Sequence, residues 1–334
     1  MFSPEATHQT PQSAQLFQQV MKNYGQQMSW IYRFSDFRNP DNPNENTPTN
    51  WRNTLGDDVI DRYHLGSTAL IANNFVAKQP GLDPLQKQLL LTIPWFHDLD
   101  EIKINSAGSG DIPDPLKTSE GINLGASIYQ VVVLQSALEL LNVNITSNLK
   151  PLTELKKLPP RIQFSTLNKT ALELKTLLLQ QNSLLVGETA SILYAYDDIV
   201  KKKTPPLGPM FRAIEKVGYL QTSLTAFNAP ITNAKAFGAE VVQFHLSHLI
   251  SYAHEYPYIN RYLLENSNLI NQVISEVNVI PDDKMQVVKK GQITSLRFFN
   301  RQKFNNSATK FKAWLNQKNS LISQSLPDNP ADLG

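Results

Sequence analysis

The 334-residue chain contains no cysteine. This absence excludes a disulfide framework, thiolate metal sites and a cysteine nucleophile. Charged residues are also scarce, at 18% of the chain, whereas hydrophobic residues reach 41%. The hydrophobic content is sufficient for a substantial core, and Asn and Gln must supply much of the polar surface.

Two kinds of targeting segment are missing as well. No apolar run reaches the roughly 18 residues of a membrane span, and the polar start MFSPEATHQTPQSAQLFQQV has no secretory hydrophobic region. We therefore expect a cytoplasmic protein that does not cross a membrane.

A phosphate-binding P-loop is also missing, because the segment GSGD lacks the Lys-Ser/Thr pair that would complete it.

Charge is unevenly distributed along the chain, although the net charge is only +2. From Lys201 to Gly334, sixteen Lys and Arg stand against nine Asp and Glu, so this part carries +7 and residues 1–200 carry −5. Between Lys284 and Lys318 there are nine basic residues and no acidic one. This segment could attract nucleic-acid or nucleotide phosphates, or it could be the solvated face of an amphipathic tail.

Helical periodicity predominates, and the predicted fold class is all-α. In DPLQKQLLLTIPWFHDLDEI, Asp83 is predicted as an N-cap and Pro84 as the first helical residue. Pro94 is predicted to bend this helix just before His97. Further helices are predicted over 11–33, 56–78, 120–143, 167–182, 185–203, 208–227, 235–254 and 257–278, with a last amphipathic stretch over 292–318.

The Lys- and Pro-rich break KKKTPPLGP is the best candidate for a domain boundary, and a loop between two helices is the alternative. We predict a helical domain over 11–203, a helical C-terminal extension over 204–320 and a disordered tail over 321–334.

The segment WFHDLDEI carries four ionisable side chains at the end of an apolar run. His97 and Asp98 could bind one metal ion if the helix bends there, and the ion would neutralise part of the acidic cluster. Imidazole and carboxylate donors without sulfur suit Mn²⁺, Fe²⁺, Co²⁺, Zn²⁺ or Mg²⁺. Asp197 and Asp198, which follow the apolar run ETASILYAY, offer a further carboxylate, and Asp197 is preferred.

These residues resemble a known pattern. His64, the pair His97-Asp98 and Asp197 resemble the metal-binding H…HD…D residues of the HD-domain phosphohydrolase superfamily. HDLDEI followed by GDIPDPLK resembles the HDxxE…GDIPxPxK run of its 5′-deoxynucleotidase-like branch. NWRN followed by VIDRYH resembles the segment that leads to the first metal-binding His of that branch. The resemblance covers roughly residues 50–203 and implies an HD-domain helical bundle.

The resemblance also implies roles for individual residues. His64, His97, Asp98 and Asp197 would hold one divalent metal ion, and Glu101 would act on the attacking water. Arg52 would bind the phosphate, for which a planar guanidinium is well suited.

Two residues of the GDIPDPLK segment would complete the substrate site in the same reading. Asp111 would contact the sugar and select against a 2′-hydroxyl. Lys117 is a further candidate contact to the phosphate.

The predicted function is therefore metal-dependent hydrolysis of nucleotides, foremost release of phosphate from nucleoside monophosphates by a 5′-(deoxy)nucleotidase. A dNTP triphosphohydrolase with the same metal core is one alternative. The other is a catalytically inactive HD-fold binding or scaffold protein, with nucleic acid bound through residues 284–318. The sequence does not determine the oligomeric state, and a homodimer is the form considered.

Three of the six histidines lie in the C-terminal extension, in FHLSHLISYAHEY. His245 and His248 have the i, i+3 spacing of a metal pair, but no carboxylate lies at a matching spacing. His254 falls on another part of the helix surface. A second metal site is therefore the less favoured interpretation of this segment.

Overall fold

The chain is all-α, as predicted, with one short β-hairpin. The computed structural model describes residues 12–23, 57–97, 124–145, 160–200, 204–227, 234–289, 292–296 and 299–325. It divides into two compact units, Met1–Glu215 and Lys216–Gly334, and the division falls within a helix. No helix in the described ranges is long and apolar enough to span a membrane.

The first unit consists of helices joined by short turns and by segments outside the described residues. Its helices are α1 (12–23), α2 (Asp57–Lys78), α3 (Pro84–Thr92), α4 (Leu124–Leu140), α5 (Pro160–Leu179) and α6 (Leu184–Val200). Helix α7 (Leu207–Phe227) spans the division between the units.

Helix α3 begins where the local sequence predicts. The Asp83 carboxylate accepts a hydrogen bond from Gln86 N at 2.8 Å, and the Gln86 side chain accepts one from Asp83 N at 3.2 Å, which completes a capping box. Pro84 stands in the first helical turn. The predicted cap is confirmed. The α-helix ends at Thr92, and Pro94, where a bend was predicted, stands in the 3₁₀ turn Ile93–Trp95 just before His97.

Helix α4 is the centre of the first unit. It is apolar on nearly all sides, and Val131, Val132 and Val133 are all almost completely buried. A helix of this kind must be covered by neighbours on several faces, and α5 and α6 both pack against it. Helix α1 is linked to it by a polar contact, in which Asn23 Nδ2 donates to Ser136 Oγ at 2.9 Å.

The second unit contains five helices besides α7 and one hairpin within the described residues. These are α8 (Ala234–Val241), α9 (Ser247–Glu255), α10 (Pro257–Glu265), α11 (Ser267–Asn278), β1 (Gln286–Lys289), β2 (Gln292–Ser295) and α12 (Arg301–Ser325). A π-helical turn, Val242–Leu246, joins α8 to α9, and α12 packs against that turn and against α9. The strands pair antiparallel, with Gln286 opposite Ser295.

Three sequence expectations for this unit differ from the structure. The single helix predicted over 257–278 is broken at Asn266, whose side chain donates to Tyr262 O at 2.9 Å. The predicted stretch 292–318 begins instead as strand β2 and becomes helical only at Arg301. Helix α12 also continues to Ser325, so the first part of the predicted disordered tail is helical.

Arg301 explains where the last helix begins. Its Nε donates to Asp282 Oδ1 at 2.7 Å, and its two terminal nitrogens donate to the carbonyl oxygens of Val277 and Ile280. The planar guanidinium thus binds the end of α11 and the following turn at several points, as an ammonium could not. In the sequence, the β1–β2 hairpin lies between Asp282 and Arg301, the two residues that this contact joins.

Candidate functional site

His97 is held in a single orientation by the backbone that precedes it. Its side chain is only 5% exposed, and its Nδ1 lies 2.8 Å from the carbonyl oxygen of Pro94. A carbonyl oxygen can only accept a hydrogen bond, so Nδ1 carries the hydrogen. In the neutral ring, Nε2 then holds the lone pair and is the nitrogen suited to bind a metal ion.

Aromatic rings surround this histidine and its neighbour Phe96. The edge of one ring meets the face of the other between His97 and Phe211, with centroids 5.1 Å apart and planes at 84°. Phe96 and Tyr129 make a similar contact at 4.9 Å and 76°. Edge-to-face contacts of this kind contribute about 0.5–1.5 kcal/mol each beyond the area that they bury. These contacts limit rotation of the Phe96 and His97 side chains.

The same aromatic cluster reaches the helix that carries Asp197. Tyr129 stacks on Tyr196 at 4.1 Å, and both side chains are buried. Asp197 follows Tyr196 in α6, and the rotation of about 100° per helical residue turns its side chain to an exposed position. Helix α3 also contacts α6. Helix α3 with the turn that leads to His97, and helix α6 with Asp197, are therefore parts of one packed core.

Asp197 and Asp198 differ in their surroundings. Asp198 Oδ1 accepts a hydrogen bond from the Thr204 hydroxyl at 2.7 Å, across the bend that follows α6. Sequence reasoning did not identify Thr204, although a carboxylate at a helix end followed by a Thr-Pro-Pro turn is a recognisable signal for such a contact. This partner gives Asp198 a local structural role, and Asp197 stays the predicted metal ligand.

The other predicted site residues cannot be placed in the same way. Helix α2 contains the backbone of His64, but its side chain lies outside the described residues. Five other predicted site residues lie wholly outside the described residues: Arg52, Asp98, Glu101, Asp111 and Lys117. Among the residues that the structure does describe, no group of three or more His, Asp or Glu could hold a metal ion. The four-ligand site is thus a prediction of which the structure describes two side chains.

The histidines of the second unit have other partners. His245 lies in the π-helical turn, stacks on Tyr219 at 4.8 Å and places Nδ1 3.1 Å from Lys216 Nζ. His248 Nδ1 donates to Phe244 O at 3.0 Å. The pair therefore does not form a metal cluster with any carboxylate in the described part of this unit.

Comparisons with known proteins assign no family to the chain. No protein-family model, no curated protein and no solved structure matches it. The likeness to HD-domain phosphohydrolases accordingly stands on the sequence motif alone.

Proposed function

We propose that the chain is a metal-dependent phosphohydrolase that acts on nucleotides, with nucleoside 5′-monophosphates as the preferred substrates. The motif that supports this proposal is the HDLDEI…GDIPDPLK run together with His64 and Asp197. The reaction would take place in the cytoplasm, and a homodimer is the oligomeric form left open by the sequence.

The observation that carries the proposal is the hydrogen bond between His97 Nδ1 and the Pro94 carbonyl. Histidines that ligate metals usually donate their other ring N–H to a carbonyl or a carboxylate, which fixes the tautomer and orients the ring. His97 has this arrangement, so its side chain fits the predicted role. His64, His97, Asp98 and Asp197 would hold Mn²⁺, Co²⁺, Zn²⁺, Fe²⁺ or Mg²⁺, all of which accept nitrogen and oxygen donors.

The predicted residues divide the work of phosphoester hydrolysis. A divalent metal ion, when bound, would polarise the phosphoryl group and make a water molecule nucleophilic at neutral pH. Glu101 would orient the attacking water and take its proton. Arg52 would bind two phosphate oxygens, with Lys117 as a second cation, and Asp111 would contact the sugar.

The test is a phosphate-release screen of nucleoside mono- and triphosphates with Mn²⁺, Co²⁺ or Mg²⁺, run with the wild-type chain and with Asp98→Ala. We expect metal-dependent release of phosphate from monophosphates and its loss in the variant. Lys169→Gln, an exposed change on α5, is the matched control and should retain the wild-type rate. Activity that survives Asp98→Ala would refute the metal assignment.

The products separate the alternatives. Tripolyphosphate released from a dNTP identifies a triphosphohydrolase, whereas inorganic phosphate from a monophosphate identifies a nucleotidase. A chain that releases neither product under any of these conditions is the catalytically inactive binding or scaffold protein.

A second candidate function, nucleic-acid binding, is favoured by one specific observation. Helix α12 buries Phe304, Phe311 and Trp314 and exposes Lys303, Lys310 and Lys312 to solvent. No acidic residue interrupts this basic segment between residues 284 and 318. Exposed lysines without neighbouring carboxylates attract a polyanion, because phosphate contacts release bound counterions.

Salt dependence tests this candidate. For duplex DNA, the logarithm of the binding constant falls with the logarithm of the salt concentration by about 0.9 per phosphate contact. The variant Lys310→Gln/Lys312→Gln should reduce that slope, whereas Lys87→Gln/Lys169→Gln, which removes the same charge from the first unit, should not. Equal slopes in both variants would exclude α12 as the binding face.

A further inference from the structure

A cavity in the first unit lies between α4, α5 and α6, and the proposed metal site makes no use of it. Its volume is about 610 Å³, within the range of about 300–1,000 Å³ that is usual for small-molecule sites. The wall is mostly aliphatic and includes Leu134, Ala171, Leu178, Val186 and Leu193. Since Leu134, Ala171 and Leu178 are themselves buried, the cavity extends into the core.

The polar atoms of the wall are few, and several are already engaged. The Thr189 hydroxyl donates to Leu185 O at 2.6 Å, and Asn168 Oδ1 accepts from Ser127 Oγ at 3.1 Å. Among the described residues that line the cavity, Lys175 is the only one with a charged side chain. It lies on the face of α5 that also carries Ala171 and Leu178, one turn from each.

The rim of the cavity exposes large apolar side chains. Leu172 is 65% exposed, Leu179 is 64% exposed and Tyr194 is 80% exposed, and all three line the cavity. They account for three of the eight strongly exposed large hydrophobic residues in the described parts of the chain. Apolar side chains that gather around one opening, rather than scatter over the surface, mark a binding site.

We infer that this cavity binds a slender amphiphile, an unbranched alkyl chain that ends in a single carboxylate, with the chain against the aliphatic wall and the carboxylate paired with Lys175. The mostly aliphatic wall favours an alkyl chain over an extended peptide, whose backbone amides would need hydrogen-bond partners there. One lysine matches the single charge of a carboxylate, whereas a phosphate head carries more charge than this wall can neutralise.

Calorimetric titration of the full chain tests this inference, with laurate, lauryl alcohol and lauryl phosphate as probes below their aggregation limits. Laurate should bind at one site and more tightly than the other two. Lys175→Gln should weaken laurate about tenfold, equivalent to about 1.4 kcal/mol, and leave the alcohol unchanged. The control Lys169→Gln, on another face of the same helix, should leave both affinities as they are.

A second variant keeps the test independent of charge. Ala190 lines the cavity at an exposed position, so Ala190→Trp can narrow the opening without disturbing the core, and it should abolish binding of laurate and of the alcohol. The inference is overturned if laurate binds without saturation or not at all. It is also overturned if Lys175→Gln weakens acid and alcohol equally, if lauryl phosphate binds most tightly, or if an amphipathic peptide displaces laurate from a larger surface.

Discussion

The rings of Tyr129 and Tyr196 stack with their centroids 4.1 Å apart and their planes inclined by 19°. Tyr129 also contacts Phe96, the residue before His97, and Tyr196 is the residue before Asp197. Two predicted metal ligands that are far apart in the sequence therefore follow directly after members of one buried aromatic cluster.

Asp197 and Asp198 should respond differently to replacement. Asp197→Ala should abolish metal-dependent phosphate release, because it removes a predicted ligand. Asp198→Ala should keep activity and lower the free energy of unfolding by about 0.5–1.5 kcal/mol, the usual worth of the hydrogen bond from Thr204. Thr204→Ala should reproduce the small loss of stability. If Asp198→Ala is the inactive variant and Asp197→Ala is active, the fourth ligand is Asp198.

Glu101 should separate metal binding from turnover. A bound metal ion at 100 times its dissociation constant stabilises the folded state by about 2.7 kcal/mol, which thermal unfolding can measure. Glu101→Gln should retain this stabilisation and lose a factor of about 10²–10⁴ in the rate, since only the general base is removed. Asp98→Ala should lose both. A rate for Glu101→Gln close to that of the wild type would exclude Glu101 as the base.

The Tyr129 hydroxyl should make the first unit sensitive to alkaline pH. Burial raises the pKa of this phenol well above its ordinary value of 10.0. Because the folded-state pKa is the higher one, its contribution to stability is complete below about pH 10 and is lost as the pH rises further. Tyr129→Phe should therefore lose less stability than the wild type between about pH 7 and about pH 11 in urea denaturation.

The same variant reports on an unpaired buried group. Among the described residues, no hydrogen-bond partner reaches the Tyr129 hydroxyl. Its removal should leave stability at neutral pH unchanged or raise it, by at most the cost of about 1–3 kcal/mol that an unsatisfied buried group carries. Tyr194→Phe, at a side chain that is 80% exposed, is the matched control and should alter neither quantity. A marked loss of stability in Tyr129→Phe at neutral pH would show that the hydroxyl is paired.

Two helical glycines should respond to alanine with opposite signs. A Cβ at Gly238 would lie 2.9 Å from Val273 Cγ1, so the Val273 side chain or the helices α8 and α11 would have to shift. Gly238→Ala should cost about 1–3 kcal/mol as an overpacked contact. At Gly187 nothing lies within 4 Å, and Gly187→Ala should stabilise the first unit by about 0.5–1 kcal/mol through lower backbone entropy. Guanidinium denaturation measures both, and stabilisation by Gly238→Ala would contradict the close packing.

The sequence was sufficient wherever a structural feature depends on neighbouring residues. The N-cap at Asp83 and the start of α3 at Pro84 depend on contacts within four residues, and both were predicted. At Pro94 a bend was predicted, and the structure has a 3₁₀ turn there. The all-α class followed from the helical period of the apolar residues, which persists through long segments.

The same local patterns did not predict the short elements of the second unit. Strands β1 and β2 have four residues each, too few for an alternating pattern to stand out from a helical one. The break at Asn266 depends on one side chain that competes for a backbone carbonyl. The π-helical turn at 242–246 adds a residue to the helical turn without any distinctive composition.

The sequence by itself determined which residue types could form a metal site, because a motif is a property of chemistry and spacing. Only the tertiary structure decided that Phe96, Tyr129 and Tyr196 belong to one cluster, and that the rings of His97 and Phe211 meet edge to face. These pairs are remote along the chain and come together through the packing of whole helices. The same packing leaves a cavity beside Lys175, and no local pattern in the sequence could have predicted that space.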